Sequence, residues 1–338
     1  MSGDNIEQLY RIAKLYYNDN LSQEEISARE HISRSQISRM LKHAREIGMV
    51  QIHLSVPSSY KKDFLASRLK EILHLSDVVL FDTIPGIEAN SLFFAKSTTE
   101  YVQSQIQEAN TVGIGWGCSM FDISQNLSLV TDGKKRTFLS LIGASSTNHP
   151  CRQTNSIVDR FTYMYQAEPY YNNFKCCITP SQLSLTDRKR WDDLKAQWNR
   201  MDLAVIEIAN CRSTLAEYLL EFDNPAPLKE AMVPMAGDIL GHFYDKDGTE
   251  ILYPNGARPS SPELSVLQET RKVICITSSS NKADSVRFAA AAGYFNILVT
   301  DYETGKTIWE RNSESMADGG SPDLPESDES IEPCLSCS

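Results

Sequence analysis

One stretch restricts this chain more than any other: Leu21–Leu54, LSQEEISAREHISRSQISRMLKHAREIGMVQIHL. Ser22 stands three residues before Glu25, and Ser33 three before Gln36. That spacing marks a helix start, because the hydroxyl and the longer side chain each satisfy a backbone N–H left without a partner in the first turn. It predicts helices beginning at Gln23 and Arg34, with Ala28–Ile32 as a tight turn between them. Two short helices joined in this way form a helix-turn-helix unit. On the second helix Ile37, Leu41 and Ala44 recur at i, i+4 and i+7 and so define an inward face. Arg34, Ser35, Gln36, Ser38, Arg39 and Lys42 are left mostly towards solvent. Gly48 ends this helix, and Val50, Ile52 and Leu54 alternate as in a strand, half of a small wing. Upstream, Ile6, Leu9, Ile12, Ala13, Tyr16 and Tyr17 have the spacing of a supporting first helix.

The polar residues of the second helix suit double-stranded DNA. The N-terminal part of a recognition helix reaches base edges, and Arg and Gln have bidentate options to guanine and adenine. Ser35, Ser38, Arg39 and Lys42 are suited to phosphates, which position a protein without specifying sequence. The net charge of −11 argues against broad, non-specific coating of nucleic acid. Its location matters more than its size. Residues 1–56 hold seven Lys/Arg and seven Asp/Glu, and Arg29–Arg45 holds five basic residues against one acidic residue. A locally basic face on an acidic chain fits site-selective binding.

A chain of 338 residues has room for more than one domain. The boundaries read as a helix-turn-helix domain over 1–56, a linker helix over 57–76, an effector-binding domain over 77–311 and a disordered acidic tail over 312–338. The tail reading rests on seven acidic residues and three prolines after Arg311, with almost no apolar content. No run of about twenty apolar residues predicts a membrane span. The N-terminus, MSGDNIEQLY, lacks the apolar stretch of a signal peptide. The eight cysteines therefore read as reduced thiols of a cytoplasmic protein. Cys334 and Cys337 form a single CxxC, without the second pair or the histidines that a zinc site needs, and no metal is expected.

From Asp77 onwards short apolar runs alternate with helical stretches. The runs are Val78–Phe81, Thr111–Ile114, Thr137–Ile142, Phe174–Ile178, Leu203–Ile208, Val273–Thr277 and Asn296–Thr300. The helices are Ala89–Ala109, Cys118–Leu129, Leu185–Arg200 and Asn281–Ala292. This alternation predicts an α/β domain with a mainly parallel sheet covered on both faces, whose ligands bind beyond the carboxyl ends of the strands. Gly113-Ile114-Gly115-Trp116-Gly117, followed by Cys118 and Ser119 opening a helix, offers close backbone approach and free N–H groups to an anion. Its GxGxG spacing is neither the dinucleotide fingerprint nor a Walker loop, so no cofactor is expected, and a purely structural turn reads equally well. The polar loop Gly143–Asn155 brings Arg152, Gln153 and Asn155 to a strand end. Lys282, in the first turn of a helix, opposes the macrodipole unless an anion sits there. Asp238 is placed to accept from sugar hydroxyls.

These residues, taken in order, resemble the SorC-type sugar-binding transcriptional regulators of bacteria. The resemblance runs from residue 9 to about 310. It is carried by AKLYYNDNLSQEEISAREHISRSQISRMLKHAREIGMVQIHL, VGIGWG at Val112–Gly117, QTNSI at Gln153–Ile157, GDILGHFYDKDG at Gly237–Gly248 and NKADSVRFAAAAGYFNILVTD at Asn281–Asp301. It implies an N-terminal helix-turn-helix and an effector domain similar to sugar-phosphate isomerases and deaminases. It also implies a phosphorylated sugar-type effector and a homodimer or homotetramer. Carried over residue by residue, Gly113, Gly115, Trp116, Gly117, Ser119 and Lys282 meet the phosphate, and Gln153, Asn155 and Asp238 meet hydroxyls. The chain departs from the family pattern at three loops. Ala144 follows Gly143 where a second glycine is usual, Glu207-Ile208-Ala209 replaces Gly-Ile-Gly, and Ser278-Ser279-Ser280 replaces small glycines.

The residues thus predict a transcription regulator of carbohydrate-metabolism genes, controlled by an effector and not itself an enzyme. Two rivals remain. One is a sugar-phosphate isomerase or deaminase with a DNA-binding appendage, for which Glu207 and Asp238 are the candidate acid/base pair. The other is a DNA-binding assembly that has lost its effector.

Overall fold

The computed structural model describes residues 3–50, 58–147, 149–209 and 211–317. The chain divides into two compact units, Met1–Pro57 and Ser58–Ser338.

The first unit is built from α1 (Gly3–Tyr17), α2 (Gln23–Glu30) and α3 (Arg34–Glu46). At the start of α2 both halves of the capping box form: Glu25 N–H donates to Ser22 Oγ at 3.2 Å, and Ser22 N–H donates to Glu25 Oε2 at 2.8 Å. At α3 only one half forms, Gln36 N–H to Ser33 Oγ at 3.3 Å. The turn is shorter than the expected Ala28–Ile32. The helix continues through Glu30, and His31 ends it in the left-handed region with φ 55°. An ion pair between Arg11 and Glu30 at 3.0 Å ties this end of α2 to α1. Ile12, Leu15, Ile26, Ile37 and Leu41 form a small buried core, and Leu9, Ala13 and Ala44 extend it. Ile6, expected inward, is exposed. The wing expected over Val50–Leu54 lies, beyond Val50, outside the described residues.

The second unit opens with α4 (Ser58–Ile72), whose Leu65 and Leu69 join Leu73 in the main core. Then follow β1 (Asp77–Phe81), α5 (Ile87–Ile106), β2 (Thr111–Ile114), α6 (Cys118–Asn126), β3 (Thr137–Ser140), α7 (Thr154–Tyr165), β4 (Glu168–Tyr170), β5 (Cys177–Ile178), α8 (Leu185–Trp198) and β6 (Leu203–Glu207). The chain continues through α9 (Cys211–Leu219), α10 (Ala226–Ala231), β7 (Gly237–Ile239), β8 (His242–Tyr244), β9 (Arg258–Pro259), α11 (Leu264–Glu269), β10 (Lys272–Ile276), α12 (Ala283–Ala291), β11 (Ile297–Asp301) and α13 (Tyr302–Ala317). Seven strands form one sheet in the order β1-β11-β10-β6-β2-β3-β4, with every pairing parallel.

The apolar strands are continuous because both faces are buried. Along β6, Leu203 and Val205 enter one core while Ala204 and Ile206 enter the other. Along β10, Ile274 and Ile276 oppose Val273 and Cys275 in the same way. Three differences from the sequence reading matter. Phe174–Ile178 does not join the main sheet; only Cys177–Ile178 is a strand, paired antiparallel with β9. The edge strand β4 carries Pro169, which tolerates an edge and disguises a strand in sequence. The first six tail residues, 312–317, continue α13, where Arg287 Nε donates to Asn312 Oδ1 at 3.4 Å; residues 318–338 lie outside the described residues. Among the described residues no helix is long and apolar enough to cross a membrane.

The strand order also locates a crevice. From β2 the chain steps outward through β3 to β4, then returns to β6 on the other side of β2 and continues through β10 to β11. The carboxyl ends of β2 and β6 therefore flank the point where the winding reverses, which is where such sheets open a cleft.

Candidate functional site

At the carboxyl end of β2 the backbone turns through Gly115-Trp116-Gly117 into α6. Gly115 N–H donates to Val205 O at 2.9 Å, and Gly117 N–H to Cys151 O at 2.9 Å. Gly117 has φ 128°, in the region that favours glycine. Gly113 and Gly115 are occupied by packing: a Cβ on Gly113 would collide with Met201 and Leu141, and one on Gly115 would press on Leu240 and the Val205 carbonyl. Trp116 is buried, with its ring edge-on to Tyr218 and the Arg152 guanidinium 4.8 Å from its centroid.

Gly117, Ser119 and Lys282 converge on a single group, the Glu207 carboxylate at the end of β6. Ser119 N–H donates to Glu207 Oε2 at 2.9 Å, and Lys282 Nζ donates to Glu207 Oε1 at 3.1 Å. A Cβ on Gly117 would strike this carboxylate. The Glu207 side chain is 8% exposed and that of Lys282 15%. Lys282 closes a short 3-10 turn, Ser280–Lys282, and caps α12 rather than lying inside its first turn. Beside the pair is a cavity of about 140 Å³, lined among others by Ser91, Thr98, Ser119, Asp122, Ser278 and Lys282. Thr98 is fully buried and its hydroxyl has no hydrogen-bond partner. Burial, and after it the Glu207 charge, pushes the Asp122 carboxyl up to about 6.

The other expected hydroxyl-binding residues are engaged within the protein. Gln153 Nε2 donates to the Thr147 carbonyl at 2.6 Å. Asn155 accepts from Ser140 Oγ at 2.6 Å and donates to the Asn172 carbonyl at 3.1 Å, bracing β3 against the segment after β4. Asn155 lies in α7, which begins inside the stretch expected to be loop. Asp238, on β7, is buried and accepts from Gly241 N–H at 3.0 Å. Burial pushes its carboxyl up to about 6, against the opposing effect of the Arg152 charge.

Sequence reasoning did not assign Asp122 or Thr98 to the site. Asp122 lies three residues after Ser119 on α6, one helical turn along the same face, and that spacing was the available signal. Thr98 comes from α5 and only tertiary packing brings it near. Glu207 was visible as a departure from a glycine pattern, but its place against Gly117, Ser119 and Lys282 was not. The candidate acid/base pair of the enzyme reading, Glu207 and Asp238, has one member committed to an ion pair and the other buried.

A Ser–His–Glu chain lies near β8: Ser261 Oγ to His242 Nε2 at 2.9 Å and His242 Nδ1 to Glu250 at 2.5 Å. Ser261 Oγ also donates to the Leu240 carbonyl at 2.9 Å. Its proton is thereby committed to that carbonyl rather than to the imidazole, the reverse of an activated nucleophile. Among the described residues, no group of three or more His, Cys, Asp or Glu could hold a metal ion.

On the first unit, Arg34, Ser35, Gln36, Ser38, Arg39 and Lys42 are all exposed on α3. Arg34 pairs with Glu24 at 3.0 Å, Arg39 Nε donates to the Ser35 carbonyl at 3.3 Å and Lys42 lies 3.7 Å from Glu46. Exposed pairs of this kind are worth little and exchange readily for other partners.

A parallel sheet with a strand-end cleft on one unit and a three-helix unit before it define a class of protein, and the comparisons agree with it. Residues 61–310 match the Sugar-bind family of sugar-binding domains, and the chain belongs to that family, that of the SorC-type regulators. Among its relatives, the deoxyribonucleoside regulator of Bacillus subtilis (strain 168) is 24% identical over 299 residues, 88% of this chain and 95% of the relative. The sorbitol operon regulator of Klebsiella pneumoniae is 23% identical over 317 residues, 91% and 99% of the two chains. The crystal structure of the full-length sorbitol operon regulator SorC from Klebsiella pneumoniae shares the fold with a TM-score of 0.65 at 22% identity, covering 91% of this chain and 100% of that one.

Proposed function

We propose that this chain is a DNA-binding transcription regulator of carbohydrate-metabolism genes, controlled by a sugar-type metabolite bound in the strand-end cleft of its second unit. The observation that carries the DNA half is the outward face of α3. Arg34, Gln36, Arg39 and Lys42 stand exposed on a helix whose opposite face is locked into a core by Ile37 and Leu41. The deoxyribonucleoside regulator and the sorbitol operon regulator among the relatives support the same reading. Arg34 and Gln36 read base edges; Ser35, Ser38, Arg39 and Lys42 hold phosphates. The protein acts in the cytoplasm as a homodimer or homotetramer, because paired half-sites require two recognition helices at fixed spacing. The effector shifts that spacing through its differential affinity for two arrangements. A phosphorylated sugar, the effector that the family resemblance implies, would direct its phosphate to Gly117, Ser119 and Lys282, with Gln153, Asn155 and Asp238 nearest its hydroxyls. Catalysis is disfavoured because Glu207 and Asp238 are both engaged within the protein.

The test is selection of a DNA site from a random pool by the full chain, followed by titration of variants. Arg34→Ala and Gln36→Ala lose about 1–3 kcal/mol on the selected site and relax specificity there, whereas Lys42→Ala weakens selected and random DNA alike. Equal losses on both DNAs for all three variants would overturn the assignment of roles.

A further inference from the structure

The cleft of the second unit contains the parts of an anion cradle: the N-terminus of α6, a glycine that leaves its backbone bare, and a lysine on the neighbouring strand's exit. Each part is already engaged, and by the same group. Glu207 Oε2 accepts the Ser119 N–H at 2.9 Å and lies where a side chain on Gly117 would be; Oε1 holds Lys282 at 3.1 Å. The carboxylate is tethered to β6, so the entropy of bringing it there is largely spent during folding, and a free anion must compete with a partner that never leaves.

We propose that Glu207 is a specificity-determining residue that takes the seat of a ligand's anionic group, so that the cleft excludes phosphorylated sugars and admits a short, uncharged polyol. This rests on the reading of a sugar-type effector in the strand-end cleft given above and replaces only its phosphorylated form.

Three further observations support the choice of ligand. The charges that face the cavity are two carboxylates, Glu207 and Asp122, against the single ammonium of Lys282, a balance that repels an added anion. The remaining lining is rich in hydroxyls, from Ser91, Thr98, Ser119 and Ser278, and the buried Thr98 hydroxyl there has no partner. Such a group is costly to bury unless something, water or ligand, satisfies it. The cavity of about 140 Å³ has room for a short polyol.

The experiment is calorimetric titration and thermal unfolding of the full chain with inorganic phosphate, against a chloride control of matched ionic strength. Titrations with free sugars and their phosphate esters run in parallel. The wild type shows no saturable response to phosphate. Glu207→Gly vacates the seat, and phosphate then binds at least about tenfold more tightly and raises the apparent stability by mass action. Adding Lys282→Met to that variant abolishes the gain. Glu207→Ala, which keeps a Cβ on β6, serves if the glycine variant does not fold. The proposal is overturned if the wild type binds phosphate or a sugar phosphate through Lys282, if it prefers a sugar phosphate to the free sugar, or if emptying the seat gains no phosphate binding. DNA-site selection by the same preparations separates the two ideas. Its absence removes the regulator reading, while the phosphate result continues to report on Glu207 alone.

Discussion

The outward face of α3 and the strand-end cleft of the second unit are both rich in polar residues, but their side chains are committed to very different degrees. On α3, Arg34, Gln36, Arg39 and Lys42 are exposed, and their ion pairs with Glu24 and Glu46 are between well-exposed partners. In the cleft, Glu207 and Lys282 are 8% and 15% exposed and bound to each other, and Gln153 and Asn155 have amide groups tied to backbone carbonyls. A face that must dock on a large, charged partner keeps its groups in water, where exchanging one partner for another costs little. A buried pocket leaves few polar groups waiting, Thr98 among them, because each unpaired one costs the full desolvation penalty. The cleft is thus closed by its own residues, and what enters must either displace an internal partner or use the few groups left over.

The largest effect that bears on this contrast is expected from Lys282→Met. It leaves the Glu207 carboxylate buried without its cation and lowers unfolding free energy by about 3–5 kcal/mol, measured by urea denaturation. Combining it with Glu207→Gln restores most of the loss. If the single variant costs no more than an exposed pair such as Arg34–Glu24, the cleft is not closed in the sense argued and the contrast fails.

A smaller effect sharpens the same point through pH. Asp238 is buried and titrates in the folded protein at about 6, pushed up by burial. The folded state therefore holds its proton where the unfolded chain has already released it. That contribution to stability is full below the ordinary carboxylate range and is lost as pH rises from about 4 through about 6. Asp238→Asn removes it, flattening the pH dependence of unfolding free energy by about 2–3 kcal/mol across that window. A slope unchanged by the substitution would show that Asp238 is solvated and ionised in the fold, and that the second unit keeps a polar group in waiting after all.

The smallest effect tests the first unit. Ser22 has both halves of its capping box, whereas Ser33 has only the bond from Gln36 N–H. Ser22→Ala costs about 1–2 kcal/mol and Ser33→Ala about 0.5–1 kcal/mol in the melting of the three-helix unit followed by circular dichroism. A reversed order would mean that α3, and not α2, depends on its cap for the register of its outward face.

Legibility followed the range of the interactions. The starts of α2 and α3 at Gln23 and Arg34 were readable because a cap is settled within three residues. So were the apolar cores of β1, β2, β6, β10 and β11, since strands buried on both faces are continuous apolar runs. The edge strand β4 was missed because its three residues are Glu168, Pro169 and Tyr170, with no apolar run to see. The start of α7 was missed because no side chain caps it; Gln153 occupies the cap position and uses its amide on the loop instead. In the cleft, the sequence offers the loop through Gly117 and Ser119 as an anion site and Lys282 as its cation. That these three meet each other through Glu207 was not legible, because β2, β6 and the exit of β10 become neighbours only in the sheet.

By itself the sequence determined the starts of α2 and α3, the identity of the outward residues on α3 and the parallel α/β architecture. All of these are written in local periodicity, caps and composition. That residues 58–72 belong to the core of the second unit, and are not a separate linker helix, it did not determine. Tertiary structure alone decided which polar groups of the second unit are free. That depends on pairings between residues 75 to 90 positions apart, such as Lys282 with Glu207 and Ser119 with Glu207. No local pattern encodes which of several carboxylates reaches a given cation; the order of strands in the sheet does.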